Sequence, residues 1–294
     1  DQAGFTGPGG VGDLNTNYLW WDASYLASLN PDILDGDEVP TWTDRSGNGN
    51  DGADAGDAPL FETTTNFNGR PAIEFSGDNT TDQYYTIGNL SALSAGEVFV
   101  VTERDDDPGT ESSRTGLWTF GTNGNTHVPY ISGNAYDAFG TNDRQDNFPI
   151  DPMDQPRIYN VVSETDNWVA RLDGTVVKED YTNTVRFSSN AIIGGNSNGT
   201  VLFDGKMAEV IFYKQGLNNA QRVIVQNYLS AKYDIAIQDD KYNFGTFHGN
   251  DVAGIGRVGD DRHTAAMSSN ILKISSASSL DDGDFALFGH DNAD

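Results

Sequence analysis

Between Asp44 and Asp51 the chain reads Asp-Arg-Ser-Gly-Asn-Gly-Asn-Asp, which sets oxygen-bearing side chains at alternate positions and puts Gly49 where a calcium loop turns sharply. Such spacing lets carboxylate and carboxamide oxygens converge on one hard cation, so Asp44, Asn48, Asn50 and Asp51 are the candidate calcium ligands. The pattern is partial, because Ala55 stands at the twelfth position, where a bidentate Glu belongs, and the flanks are strand-like. A second candidate lies in the long connection from Thr122 to Asp154, which gathers His127, Tyr130, Tyr136, Asp143 and Arg144 around Phe139, Asn142, Gln145 and Asp146. Aromatic faces stack on sugar C–H groups while carboxylate, amide and guanidinium groups bond hydroxyls, so this composition suits a glycan site. It suits equally an ordered loop whose rings tuck into a core. The four histidines, at 127, 248, 263 and 290, include no pair four residues apart, and no cysteine accompanies them, which argues against a zinc enzyme. Gly254-Ile-Gly256 lacks the further glycine and the helix of a dinucleotide site.

The elements that must position these residues are mostly strands. Short runs rich in β-branched and aromatic residues predict strands at 18–24, 72–75, 84–87, 98–102, 117–120, 158–162, 168–172, 175–178, 191–193 and 202–213, separated by clusters of Gly, Asn, Asp and Ser. Asp173-Gly174 is the sharpest hairpin signal, since both residues tolerate positive φ. In the last strand, alternation places Met207, Ile211 and Tyr213 on one face and Ala208, Val210 and Phe212 on the other, as in a strand covered on both sides. Trp20 and Trp21 are adjacent, so one faces the core and the other is exposed or covered by a second module. The helical spacing of Leu217, Ala220, Ile224, Tyr228 and Ala231, with Asn218 and Gln221 placed as a capping box, predicts one substantial helix near 217–232.

Lys and Arg number 17 against 44 Asp and Glu, a net charge of −27 over 294 residues, which disfavours nucleic-acid phosphates and anionic lipid as partners. The absence of cysteine removes disulfides and thiol chemistry. No run of about 18 apolar residues spans a bilayer. The start at Asp1 and the end just after Phe288-Gly-His-Asp-Asn292 lead to the expectation of a piece of a longer chain.

The stretch Asp204 to Tyr233, together with Trp42-Thr-Asp-Arg-Ser-Gly-Asn-Gly-Asn-Asp-Gly52 and Asn68-Gly-Arg-Pro-Ala-Ile-Glu-Phe-Ser-Gly77, resembles the laminin-G-like, concanavalin A-type jelly-roll domains of large secreted bacterial surface proteins. The likeness runs over residues 9 to 235. His248 to Arg257, Ile271 to Ile274 and Asp281 to Asn292 resemble the opening of a second β-rich module that follows such jelly rolls. The resemblance implies an all-β chain: a lead-in over 1–17, a two-sheet antiparallel jelly-roll sandwich with one C-terminal helix over 18–237, and a partial β-module over 238–294. It also offers an alternative for Asp44 as the cap of a turn. Related domains often bind calcium through an Asp just before the Glu of the last strand, and here that position is Ala208. Glycosidases of this fold carry Glu-x-Asp and a further Glu, with two carboxylates about 5 Å apart. Glu164-Thr-Asp166 has no such second Glu, and Glu209 is alone, so the expectation is no enzyme. The function implied is adhesion or carbohydrate recognition in a secreted, extracellular or cell-surface protein, stabilised by calcium, with glycans or neighbouring copies as partners. The alternatives are a subunit of a surface filament or layer and, less favoured, a polysaccharide-cleaving enzyme.

Overall fold

A computed structural model gives the structure, which describes residues 6–77, 83–105, 115–124, 126–150, 152–196, 201–268 and 272–291. The chain is all-β, with several antiparallel sheets. One sheet has eight strands, in the order Thr175–Asp180, Asn167–Leu172, Arg157–Glu164, Gly96–Arg104, Gly205–Tyr213, Ala72–Phe75 and Leu60–Glu62, with Asn17–Asp22 also pairing Gly205–Tyr213. Another has five: Thr41–Trp42, Gly52–Asp54, Tyr85–Gly88, Phe187–Ile193 and Trp118–Gly121. The largest apolar cluster draws on both, with Trp21, Trp42, Tyr85, Trp118, Tyr159 and Phe212 fully buried. Burying rings of this size, at about 25 cal/mol per Å² of apolar surface, is the main stabilising term for a chain without disulfides.

The expected helix is Asn219–Tyr233, capped by Asn218. Asn218 accepts from the Gln221 amide at 2.9 Å while its own amide donates to Gln221 Oε1 at 3.1 Å. The helix covers the eight-stranded sheet through Ile224, Val225, Tyr228 and Leu229, which cluster with Phe99, Ile211 and Tyr213. The alternation predicted for the last strand fails at one place. Its pairing with Gly96–Arg104 shifts register between Met207 and Glu209. That bulge groups Ala208 with Ile211 and Tyr213 under the helix, and Met207 with Val210 and Phe212 between the sheets.

Two further differences sit near the N-terminus. The first strand stops at Asp22, whose carboxylate accepts from the Ser24 amide at 2.9 Å and starts a short helix, Ala23–Leu29, where a continued strand was expected. The lead-in is not simply extended, since Pro8–Gly10 forms a buried 3₁₀ turn. Gly10 has φ +76°, and a Cβ there would lie 2.9 Å from Ala266 Cβ, so only glycine fits. The Gly10 carbonyl accepts from His263 Nε2 at 2.9 Å, tying the lead-in to the C-terminal segment. That segment forms a three-stranded sheet of Asp261–His263, Asn250–Val258 and Phe285–His290 and a hairpin of Ala266–Ser268 with Leu272–Ile274. Val252 and Tyr242 join the apolar cluster of the helix, so this module packs against the outer side of the helix. Among the described residues no helix is long and apolar enough to cross a membrane.

Candidate functional site

The turn expected to hold calcium satisfies itself. Asp44 Oδ1 accepts from the Trp20 and Ser46 amides at 2.9 and 2.8 Å, and Oδ2 accepts from Ser46 Oγ and the Asn50 amide at 2.8 and 3.0 Å. Four donors fill the four lone-pair directions of one carboxylate. Asp51 Oδ1 accepts the Asp44 amide at 2.7 Å, and the Asn48 and Asn50 carboxamides donate to the carbonyls of Asn17 and Tyr18. The Asp44 carboxylate is thus fully used within the turn, and Asp44, Asn48 and Asn50 pin the turn to the first strand. Among the described residues no group of three or more His, Cys, Asp or Glu side chains is placed to hold a metal.

The loop residues expected to bind a glycan do come together, as a row. His127 stacks on Tyr130 at 5.5 Å, Tyr130 on Tyr136 at 4.1 Å, and the Arg144 guanidinium lies 4.4 Å from the Tyr136 centroid. Two groups that close to one ring centroid cannot share a face, so both faces of Tyr136 are covered. Arg144 also pairs with Asp146 at 2.5 Å, and Asp143 is exposed. The row leaves ring edges and hydroxyls, rather than open ring faces, for a ligand.

A different constellation, absent from the sequence reading, lies where the first strand, the helix and the C-terminal module meet. Glu209, alone in the sequence, is the hub of a buried network. Its Oε1 accepts from Trp20 Nε1 at 2.6 Å and the Tyr228 hydroxyl at 2.9 Å, and its Oε2 from the Tyr233 hydroxyl and Lys232 Nζ at 2.8 Å each. Lys232 Nζ also reaches Asp22 Oδ2 at 2.7 Å, and Arg45 Nη1 reaches the same oxygen at 2.9 Å. Burial alone would raise the Asp22 pKa, but the charges of Lys232 and then Arg45 outweigh it and hold the carboxyl below its ordinary value.

Above this floor the Arg45 guanidinium lies 4.2 Å from the Trp20 ring centroid and 5.4 Å from that of Tyr25. Asp251 faces it from the C-terminal module, its carboxylate 3.7 Å from Arg45 Nη2 and 3.6 Å from His290 Nε2. Asp251 has φ +45°, at a break in register between Asn250–Val258 and Phe285–His290. Left-handed backbone at a non-glycine residue persists only where its surroundings hold it. Here the Ser268 hydroxyl holds the Asp251 carbonyl at 2.6 Å. A cleft of about 540 Å³ opens at this seam, lined by Trp20, Tyr25, Arg45, Tyr228, Asp251 and Ser268 among others. Its size and mixture of rings with a few charged groups fit a small ligand that has both apolar faces and hydroxyls. The one sequence signal that pointed here is the Trp20-Trp21 pair: Trp21 faces the core, and Trp20 faces the second module.

Glu164-Thr-Asp166 proves to be a hairpin turn. It joins Arg157–Glu164 to Asn167–Leu172, with Asp166 at φ +57° and Glu164 Oε2 accepting from Asn167 Nδ2 at 3.0 Å.

No protein-family model matches the sequence, and no curated protein does. Among solved structures, the chain is similar to Trypanosoma rangeli sialidase, with a TM-score of 0.51 at 11% identity, covering 78% of this chain and 35% of the sialidase. It is also similar to domain 4 of AbnA, a GH43 extracellular arabinanase from Geobacillus stearothermophilus, in complex with arabinotriose, with a TM-score of 0.47 at 10% identity, covering 72% of this chain and 98% of that domain. A third is the binding domain of Paraclostridial Mosquitocidal Protein 1, with a TM-score of 0.47 at 12% identity, covering 72% of this chain and 51% of that chain. The chain thus spans about a third of the length of the sialidase chains it matches. The expectation of no enzyme is corrected by this comparison: the all-β fold recurs within sialidases, which are enzymes, so the missing paired-carboxylate motif does not place the chain outside them.

Proposed function

We propose that this chain recognises a carbohydrate as part of a larger, extracellular, modular protein, with a laminin-G-like jelly roll as its frame and the seam cleft as its binding site. The observation that carries the reading is the cleft itself: three aromatic side chains, Trp20, Tyr25 and Tyr228, beside the Arg45 guanidinium and the Asp251 carboxylate. Tyr25, half-buried on the wall, offers ring surface to the C–H face of a sugar, the buried Trp20 and Tyr228 shape the floor, and a guanidinium fork and a carboxylate bond the sugar hydroxyls as donor and acceptor. The fold shared with part of a sialidase supports the reading, and an open groove with aromatic walls favours a glycan over a neighbouring copy in a filament or layer.

Glycan-array screening of the full chain, followed by calorimetric titration of the glycans that bind, tests it. Tyr25→Ala, at a half-buried residue of the cleft wall, is expected to weaken binding by tenfold or more, about 1.4 kcal/mol or more. Tyr136→Ala is expected to leave the affinity unchanged. Absence of binding to every glycan, or loss with Tyr136→Ala and not with Tyr25→Ala, would contradict the proposal.

A further inference from the structure

A recess of about 260 Å³ adjoins the cleft and shares Tyr25, Arg45 and Asp251 with it, and Asp22, Arg70 and Lys232 also line it. Three of its side chains are cationic, and two of these are matched. Lys232 is paired with Asp22 and Glu209, and Arg45 with Asp22 and Asp251. Arg70 is different. Its guanidinium donates to the neutral carboxamide of Asn250, and no carboxylate among the described residues lies within ion-pair reach of it.

Acidic residues outnumber basic ones here by 44 to 17, so a half-buried arginine facing a recess without a carboxylate partner runs against the composition. A partly desolvated guanidinium gains most from an oxyanion that accepts two parallel N–H bonds. Resting on the carbohydrate reading above, we propose that this recess takes the anionic group, a carboxylate or a sulfate ester, of an acidic sugar whose ring lies in the adjoining cleft. The ligand is a short acidic oligosaccharide rather than an extended polyanion. A net charge of −27 repels a long chain of like charge over the whole surface, whereas one anion within the recess meets the Arg70 guanidinium at short range, with the Asp22 and Asp251 carboxylates of the same recess engaged by Lys232 and Arg45.

The test pairs each acidic ligand with its neutral form. Trigalacturonate and its methyl ester, and a sulfated carrageenan tetrasaccharide and its desulfated form, are titrated calorimetrically into the full chain, into Arg70→Gln and into Arg70→Lys, alongside any glycans that bind on the array. At least one acidic ligand is expected to bind tenfold or more tightly than its neutral partner, and the pair that shows it tells carboxylate from sulfate. Arg70→Gln should lower affinity for the acidic form to that for the neutral form, in a chain whose cooperative melting shows that it folds, and Arg70→Lys should keep part of the preference. Binding of neutral glycans only, or an acidic preference that survives Arg70→Gln, overturns this inference and leaves the carbohydrate reading standing. No binding to any glycan overturns both.

Discussion

Two buried carboxylates show how differently this protein treats the same group. Asp22 is matched by Lys232 and Arg45, whereas Asp137, between the sheets, has only neutral donors: Trp118 Nε1 at 3.0 Å, the Phe139 amide at 2.9 Å and the Tyr159 hydroxyl at 2.8 Å. Burial outweighs these bonds and pushes the Asp137 carboxyl up from 3.8 to about 6. A raised folded value means that the native state holds its proton more tightly than the unfolded chain. The stabilisation from the protonated form is therefore complete below about pH 3.8 and is lost as pH rises through about 6, an effect of about 3 kcal/mol at most. Asp137→Asn keeps two acceptor bonds and can donate to the Tyr159 oxygen. Relative to the native chain, the variant should gain stability steadily from about pH 4 to pH 6.5 in urea unfolding followed by tryptophan fluorescence. A pH slope identical in the two proteins would show that Asp137 does not titrate in this window.

The helix Asn219–Tyr233 joins the sheet to the site, since Tyr228 and Lys232 supply the cleft floor while Ile224 and Leu229 fill the core beneath. Removing its cap with Asn218→Ala strands the Gln221 amide and should cost about 1 kcal/mol, seen as a lower thermal midpoint. If the midpoint does not move, the capping box contributes nothing to stability. This helix, its cap and the Asp173-Gly174 hairpin were readable in the sequence because each depends on residues a few positions apart. The bulge at Met207 to Glu209 was not, since it is defined by pairing with a strand about 100 residues away in the chain. Glu209 stayed hidden because its partners come from positions 20, 228, 232 and 233, which only the folded chain brings to the face it shares with Ile211 and Tyr213. The Tyr130, Tyr136 and Arg144 loop was legible in its composition and not in its packing. Composition showed groups able to bind a sugar, and geometry gave those groups to one another.

At the scale of the whole molecule, the site exists only because the C-terminal module docks on the helix and brings Asp251 opposite Arg45. The lead-in locks that arrangement, with Gly10 inserted against Ala266 and bonded to His263. A surface of strongly negative charge thereby encloses a seam where Arg45, Arg70 and Lys232 gather beside Asp22 and Asp251, the donors and acceptors that the proposed ligand would use. The central claim, that a carbohydrate occupies this seam, is tested most directly by nuclear magnetic resonance of the isotope-labelled chain titrated with a glycan that binds. The indole Nε1–H of Trp20, which donates to Glu209, and the backbone amides of Asp251 and Val252 should shift on saturation, while the indoles of Trp42, Trp118 and Trp168 in the core stay in place. Shifts centred on Tyr130, Tyr136 and Arg144 with Trp20 and Asp251 unmoved would contradict it.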